Sequence, residues 1–336
     1  MSAPDPWPAG VAVTGVGSMP GTDPAETVRL VLGELQDLPF LPELPARGPH
    51  ADLTGRSTAL LAELPVDLQP SGWRLVSRPS RDQRRARDLL ARDLDALEEQ
   101  VQGGGPPALK VACAGPWTLA ATLQLSRGER VLADHGAVDD LATSLAEGLR
   151  LHLADLARRV PGASLLLQLD EPALPAVLQG GVPTASGFGR LRVPERNRAR
   201  SVLQTVLDAS PSGATVVHCC AADPPLELLV GTDAGALSLD ATLLTPCSDD
   251  LLGTAVEAGR RLLLGVVPST GSRPDADAAY ERVLALWRRL GFPAETLPGA
   301  VGITPTCGLA GASPGYAKAA LQACVEIGRR LGEAPS

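Results

Sequence analysis

Seven short runs of apolar, often β-branched residues, ending at Gly, Pro or a polar side chain, constrain this chain more than any other feature. They cover residues 11–17, 109–115, 164–170, 214–220, 235–240, 262–267 and 300–304. None alternates apolar with polar residues, so each reads as a strand buried on both faces. Between them, residues 25–35, 86–101, 139–158, 197–207, 278–290 and 317–331 carry apolar side chains three and four apart, the spacing of one helix face. Strands alternating with helices predict a parallel sheet with helices packed outside it. The Pro-interrupted stretch 38–44 is an eighth strand candidate, and eight strand–helix units close into a (β/α)8 TIM barrel. The expected architecture is one α/β barrel domain over residues 11–332, after a loose or disordered N-terminus over residues 1–10. Insertions are expected after strand 2, at 53–81, and after strand 4, at 180–196. The competing open, doubly wound sheet lacks its signature. No G-x-G-x-x-G leads from a strand into a helix with the acidic partner that dinucleotide binding needs.

Composition then removes several classes of function. The chain has 336 residues, 44% of them hydrophobic and 20% charged, enough apolar mass for a large core. A net charge of −8 argues against nucleic acid as a partner, because phosphate binding needs clustered cations. No apolar run approaches the ~18 residues of a membrane span, and no cationic start precedes an apolar stretch, so a cytoplasmic protein is expected. In such a compartment the six cysteines, at 113, 219, 220, 247, 307 and 324, read poorly as disulfides. The useful distinction is between thiolate ligands and fillers. Only Lys110 and Lys318 are lysines among 30 basic residues, a bias read as base composition.

Polar residues gather where the predicted strands end, the mouth at which barrels keep their sites. Gly15, Val16, Gly17 and Ser18 end the first strand, and Asp170, Glu171 and Pro172 the fourth. His218, Cys219 and Cys220 end the fifth, Asp240 ends the sixth, and Cys307 follows the eighth. Residues two apart on a strand share a face, so His218 and Cys220 can grip one ion while Cys219 points away and packs. Asp240 and Cys307 would complete an N, S, O, S tetrahedron suited to Zn²⁺. Such an electron-rich site activates water poorly, yet it keeps a substrate thiol ionised at neutral pH. Cys113, Cys247 and Cys324 read as packing residues.

With these pieces in place, the chain resembles the C-terminal catalytic barrel of cobalamin-independent methionine synthase, within the methionine synthase and uroporphyrinogen decarboxylase-like superfamily. The matching segments are Val16-Gly17-Ser18-Met19-Pro20, Gln168-Leu169-Asp170-Glu171-Pro172-Ala173-Leu174, His218-Cys219-Cys220, Ala236-Leu237-Ser238-Leu239-Asp240 and Thr306-Cys307-Gly308-Leu309. They occur in the family's order across almost the whole chain. The resemblance implies a zinc-dependent methyltransferase of methionine biosynthesis, with Zn²⁺ on His218, Cys220, Asp240 and Cys307. It implies that the backbone of Val16, Gly17 and Ser18 receives the homocysteine carboxylate and that Asp170 pairs with its ammonium group.

The departures are specific. The family's third zinc ligand is glutamate, one methylene longer than Asp240. Its catalytic histidine is missing from the stretch 265–270, where Thr270 is nearest. Its pterin-stacking tryptophan is expected near Thr122, whereas the tryptophan here is Trp117, either a replacement or a packing residue. The thiol half of the site is thus intact and the folate half eroded. That leaves the methyl donor open between methylfolate and a methylated corrinoid, free or on a corrinoid protein. Methyl transfer to another small thiol, a uroporphyrinogen decarboxylase-like reaction and a non-catalytic barrel are the alternatives. Arg190, Arg192, Arg196, Arg198 and Arg200, in the loop after the fourth strand, could close over the mouth, and Trp73 could border a donor pocket. His50, His135 and His152 read as structural or surface residues.

Overall fold

The β-branched runs form strands, as their patterning requires, and each helix takes up the apolar stripe that follows. The structure, a computed structural model, describes residues 6–211 and 213–333. Its strands are β1 (Ala12–Val13), β2 (Val66–Gln69), β3 (Gly72–Leu75), β4 (Ala108–Ala114), β5 (Ser164–Asp170), β6 (Thr215–Cys219), β7 (Ala236–Asp240), β8 (Arg261–Val267) and β9 (Val301–Pro305). Seven of them make one parallel sheet in the order β1-β9-β8-β7-β6-β5-β4. The six expected helices appear as Pro24–Glu34, Arg81–Val101, His135–Arg159, Arg196–Leu207, Ala276–Leu290 and Pro314–Gly332. Five of these begin at an Asp or Ser whose side chain accepts a first-turn N–H: Asp23, Ser80, Asp134, Asp275 and Ser313.

The stretch 38–44 spans the gap between β4 and β1 without becoming a regular strand. Leu41 N–H donates to the Lys110 carbonyl at 2.9 Å, and Lys110 N–H to that of Pro39 at 2.9 Å. Further along, Glu43 N–H donates to Gly17 O at 3.0 Å and Met19 N–H to Glu43 O at 2.8 Å. Pro39, Pro42 and Pro45 lack the N–H a full ladder needs, which is why only isolated bridges form at Phe40 and Glu43. The result is a curled parallel sheet with outer helices, consistent with a TIM barrel.

The insertion after this stretch holds what periodicity did not announce. It contains the helix Leu53–Ala59 and the antiparallel hairpin β2–β3, which turns through Gly72 at a positive φ of 118°. Gln124 and Arg130 extend the hairpin by isolated bridges. The short helices Pro116–Thr122, Leu174–Leu178 and Leu226–Val230, and the longer Asp249–Glu257, were likewise not evident as periodic stripes.

At the N-terminal end of the strands, Ala12, Leu38, Ala108, Leu166, Val216, Ala236 and Leu263 form a plug with Trp7. Residues 1–5 of the expected loose N-terminus lie outside the described residues. Trp7, within the same stretch, is instead buried, and its indole N–H donates to Gly213 O at 2.9 Å. No helix among the described residues is long and apolar enough to cross a membrane.

Candidate functional site

Parallel strands deliver their last inward-facing side chains to one end, and here that end is built from β5, β6, β7 and the loop after β9. His218 and Cys220, two apart as the strand periodicity requires, meet Cys307. The three ligand atoms they can offer lie within 4.8 Å of one another. Cys220 Sγ is 3.2 Å from Cys307 Sγ. The contact between the two sulfurs, with the His218 imidazole beside them, holds the Cys307 thiol well below its ordinary pKa and raises that of Cys220. A proton shared between two sulfur atoms beside an imidazole is what a thiophilic cation would displace.

The imidazole is fixed from behind. His218 Nδ1 lies 2.9 Å from Ser238 Oγ, whereas Nε2 is buried with no hydrogen-bond partner. A buried ring nitrogen without a partner is costly unless a ligand takes it. The donor set of one imidazole and two sulfurs, with that orphaned nitrogen, fits Zn²⁺.

Asp240 is not brought into this trio. It ends β7 half-buried, and its Oδ1 accepts hydrogen bonds from Thr242 N at 2.8 Å and Thr242 Oγ1 at 2.6 Å. A two-residue Asx turn is the local alternative that a short carboxylate takes most readily.

Asp170 stands beside the trio, its backbone in register with His218 across β5 and β6. It is 6% exposed, and Gln168 Nε2 donates to its Oδ1 at 2.7 Å. Burial raises its pKa, against the pull of His218, Lys110 and the Gln168 hydrogen bond. A second buried carboxylate, Glu43, faces the same region and was not marked by the sequence. Its Oε1 has no hydrogen-bond partner, and its carboxylate lies against Gly17. Burial pushes Glu43 up to about 7, Arg56 pulls it down, and Asp170 adds to the rise. Two such carboxylates can receive a cationic amine.

Val16, Gly17 and Ser18 form the turn expected between them. Ser18 O accepts from Leu309 N at 2.7 Å, which ties the turn to the Cys307 loop, and Gly17 O accepts from Glu43 N. Among the described residues, the N–H groups of Gly17 and Ser18 have no partner.

Other expected residues settle into structural places. Glu171 points away from Asp170 into the start of the helix Pro116–Thr122. There it accepts from Trp117 N at 2.9 Å, Thr118 N at 2.7 Å and Thr118 Oγ1 at 2.7 Å, and burial pushes it up to about 7. Trp117 is 1% exposed and donates to Ala199 O, so it packs and offers no face for stacking. Trp73 is also buried, edge-on to His50, which bonds Asp82 at 2.9 Å. Thr270 is exposed. Cys113, Cys219 and Cys324 are buried as packing residues, but Cys247 is exposed. In the arginine-rich segment, Arg196 pairs with Glu227 and Arg198 with Asp139.

No protein-family profile matches the sequence. No curated protein matches it either. Among solved structures, a B12-independent methionine synthase from Shewanella sp. W3-18-1, in complex with selenomethionine, superposes with a TM-score of 0.62 at 13% identity, covering 97% of this chain and 98% of that one. A GH5_18 protein from Streptomyces cattleya, in complex with GlcNAc, gives 0.49 at 17% identity over 98% of this chain and 82% of its own. At 13% identity the likeness to the first of these shows the barrel-type fold alone.

Proposed function

We propose that this chain is a zinc-dependent enzyme that transfers a methyl group to a thiol, with homocysteine as the acceptor and methionine as the product. The observation that carries the reading is the convergence of the His218 imidazole, Cys220 Sγ and Cys307 Sγ, with His218 Nε2 buried and unpartnered. The likeness in fold to a methionine synthase supports it.

His218, Cys220 and Cys307 would hold the ion, with Asp240 as the proposed fourth donor. Bound zinc supplies a thiophilic Lewis acid that keeps a ligand thiol ionised at neutral pH. The chain's own groups do the rest. Asp170 and Glu43 receive the ammonium group, the N–H groups of Gly17 and Ser18 receive the carboxylate, and the two together aim the acceptor sulfur at the trio. Asp170 is the residue assigned to orientation through charge, and its burial makes that pairing strong and selective for a cation. The barrel is proposed to be closed, a (β/α)8 domain over residues 11–332 completed by the 38–44 stretch, so that the mouth excludes water on its inner side.

One observation bears on the donor. Trp117 is packed and Thr270 stands where a histidine would be expected, so the folate half has no counterpart and a methylated corrinoid is the favoured donor.

Elemental analysis of protein purified without added metal tests the assignment. About one zinc per chain is expected, followed by methionine formation from homocysteine and methylcobalamin. Protein that holds no zinc, and takes up none on titration, would overturn it.

A further inference from the structure

In a chain whose cations are almost all arginine, one of its two lysines lies at the centre of the strand cage. Lys110 is 0% exposed, on β4, inside an otherwise apolar run. Its Nζ donates to Val16 O at 2.8 Å and to Gln168 Oε1 at 2.6 Å. Gln168 in turn donates through Nε2 to the same Val16 carbonyl at 2.9 Å and to Asp170 Oδ1 at 2.7 Å. One backbone carbonyl therefore takes two donors from the barrel interior, one of them charged.

That arrangement has a directional consequence. Across a trans peptide, the C=O of one residue and the N–H of the next point in opposite directions. The Val16 carbonyl is pulled inward by Lys110 and Gln168, so the Gly17 N–H is aimed the opposite way, away from both side chains. The other sides of the turn are held too, by Glu43 N on Gly17 O and by Leu309 N on Ser18 O. Burying an ammonium is expensive, and burial lowers the Lys110 pKa to about 8, against the charges of Asp170 and Glu43. A guanidinium, with five donors in a wide fork, would leave several unsatisfied where only these two acceptors stand.

We propose that Lys110 is a positioning residue for the acceptor's carboxylate: through the Val16 carbonyl it orients the Gly17 N–H, and its charge draws an anion to that turn. The inference rests on the amino-acid thiol reading of the acceptor and adds to it the residue that makes the turn selective for an anion. Lys110 touches neither the sulfur nor the metal trio, so its effect belongs in substrate affinity and not in the chemical step.

The test uses the zinc-loaded full chain and calorimetric titration with three thiols. L-homocysteine carries both charged groups, 4-sulfanylbutanoate lacks the amine, and 3-aminopropane-1-thiol lacks the carboxylate. Lys110→Met is expected to weaken the two carboxylate-bearing thiols about tenfold or more, while 3-aminopropane-1-thiol binds as before. In turnover, KM for homocysteine rises with kcat and zinc content retained. Gln168→Met removes the second donor on the same carbonyl without taking a charge from the core; because it also frees Asp170 Oδ1, it is read on 4-sulfanylbutanoate, the thiol without an amine, which is expected to weaken as in the lysine variant. It carries the test if the lysine variant does not fold. An unchanged affinity for 4-sulfanylbutanoate in the variants overturns the role of Lys110 alone, and so does a uniform loss across all three thiols in Lys110→Met. Wild-type protein that holds zinc but binds none of the three overturns both this role and the amino-acid thiol reading.

Discussion

His218 Nδ1 and Ser238 Oγ lie 2.9 Å apart, side by side on β6 and β7, in backbone register with one another. This contact fixes the ring plane and leaves Nε2 as the ring nitrogen without a partner, on an imidazole that lies beside Cys220 and Cys307. Outer partners of this kind set ligand orientation, and their loss costs roughly 10–100-fold in metal affinity. Ser238→Ala is therefore expected to weaken zinc binding by about that factor while the fold persists, as measured by competition with a chromophoric chelator. Unchanged affinity would remove Ser238 from the site.

Asp240 offers a separable test, since Thr242 engages its carboxylate through both backbone and hydroxyl. Asp240→Asn is expected to weaken zinc retention less than His218→Ala, Cys220→Ser or Cys307→Ser, each of which should leave the purified protein without metal. Loss as complete as that of Cys307→Ser would make Asp240 a full ligand, and the Thr242 turn would then have to open when metal binds.

Glu43 makes stability depend on pH in a definite direction. Its pKa is about 7 in the folded chain against an ordinary 4.5, so between those values the folded state keeps a proton that the unfolded state has released. Stability should thus fall as pH rises through that window, by up to about 3 kcal/mol from this group and its coupling to Asp170. Glu43→Gln cannot release that proton and should flatten the fall. Urea unfolding at the two ends of the window measures it, and an undiminished slope in the variant would contradict the assignment.

Gly115 is held to glycine by Glu171. A methyl group at 115 would overlap the Glu171 carboxylate, which caps the helix Pro116–Thr122 at Trp117 and Thr118. Gly115→Ala should cost about 2–4 kcal/mol in denaturant unfolding, because either the strand end or the cap must shift. Wild-type stability in this variant would mean that the carboxylate moves aside freely.

The order of strands and helices was readable because buried parallel strands and amphipathic helices have distinct periods, and the meeting of His218 and Cys220 was readable because they sit two apart at a strand end. The resemblance named Val16–Ser18 and Asp170. Lys110, Gln168 and Ser238 stood in plain view on strands, yet their work is invisible along the chain. Gln168 shares its strand face with Asp170, and Ser238 with Asp240, which is the signal that could have drawn notice to them.

What the linear pattern determined was the class of fold and the set of chemical groups at the strand ends, since both follow from local periodicity. Tertiary structure alone decided which groups meet. Lys110 reaches Val16 across 94 positions, and Cys220 reaches Cys307 across 87. It also left Asp240 on its own turn, buried Trp117 and brought Glu43 beside Gly17. Each of those outcomes depends on the register between distant strands and on desolvation inside the cage, neither of which a local sequence window contains.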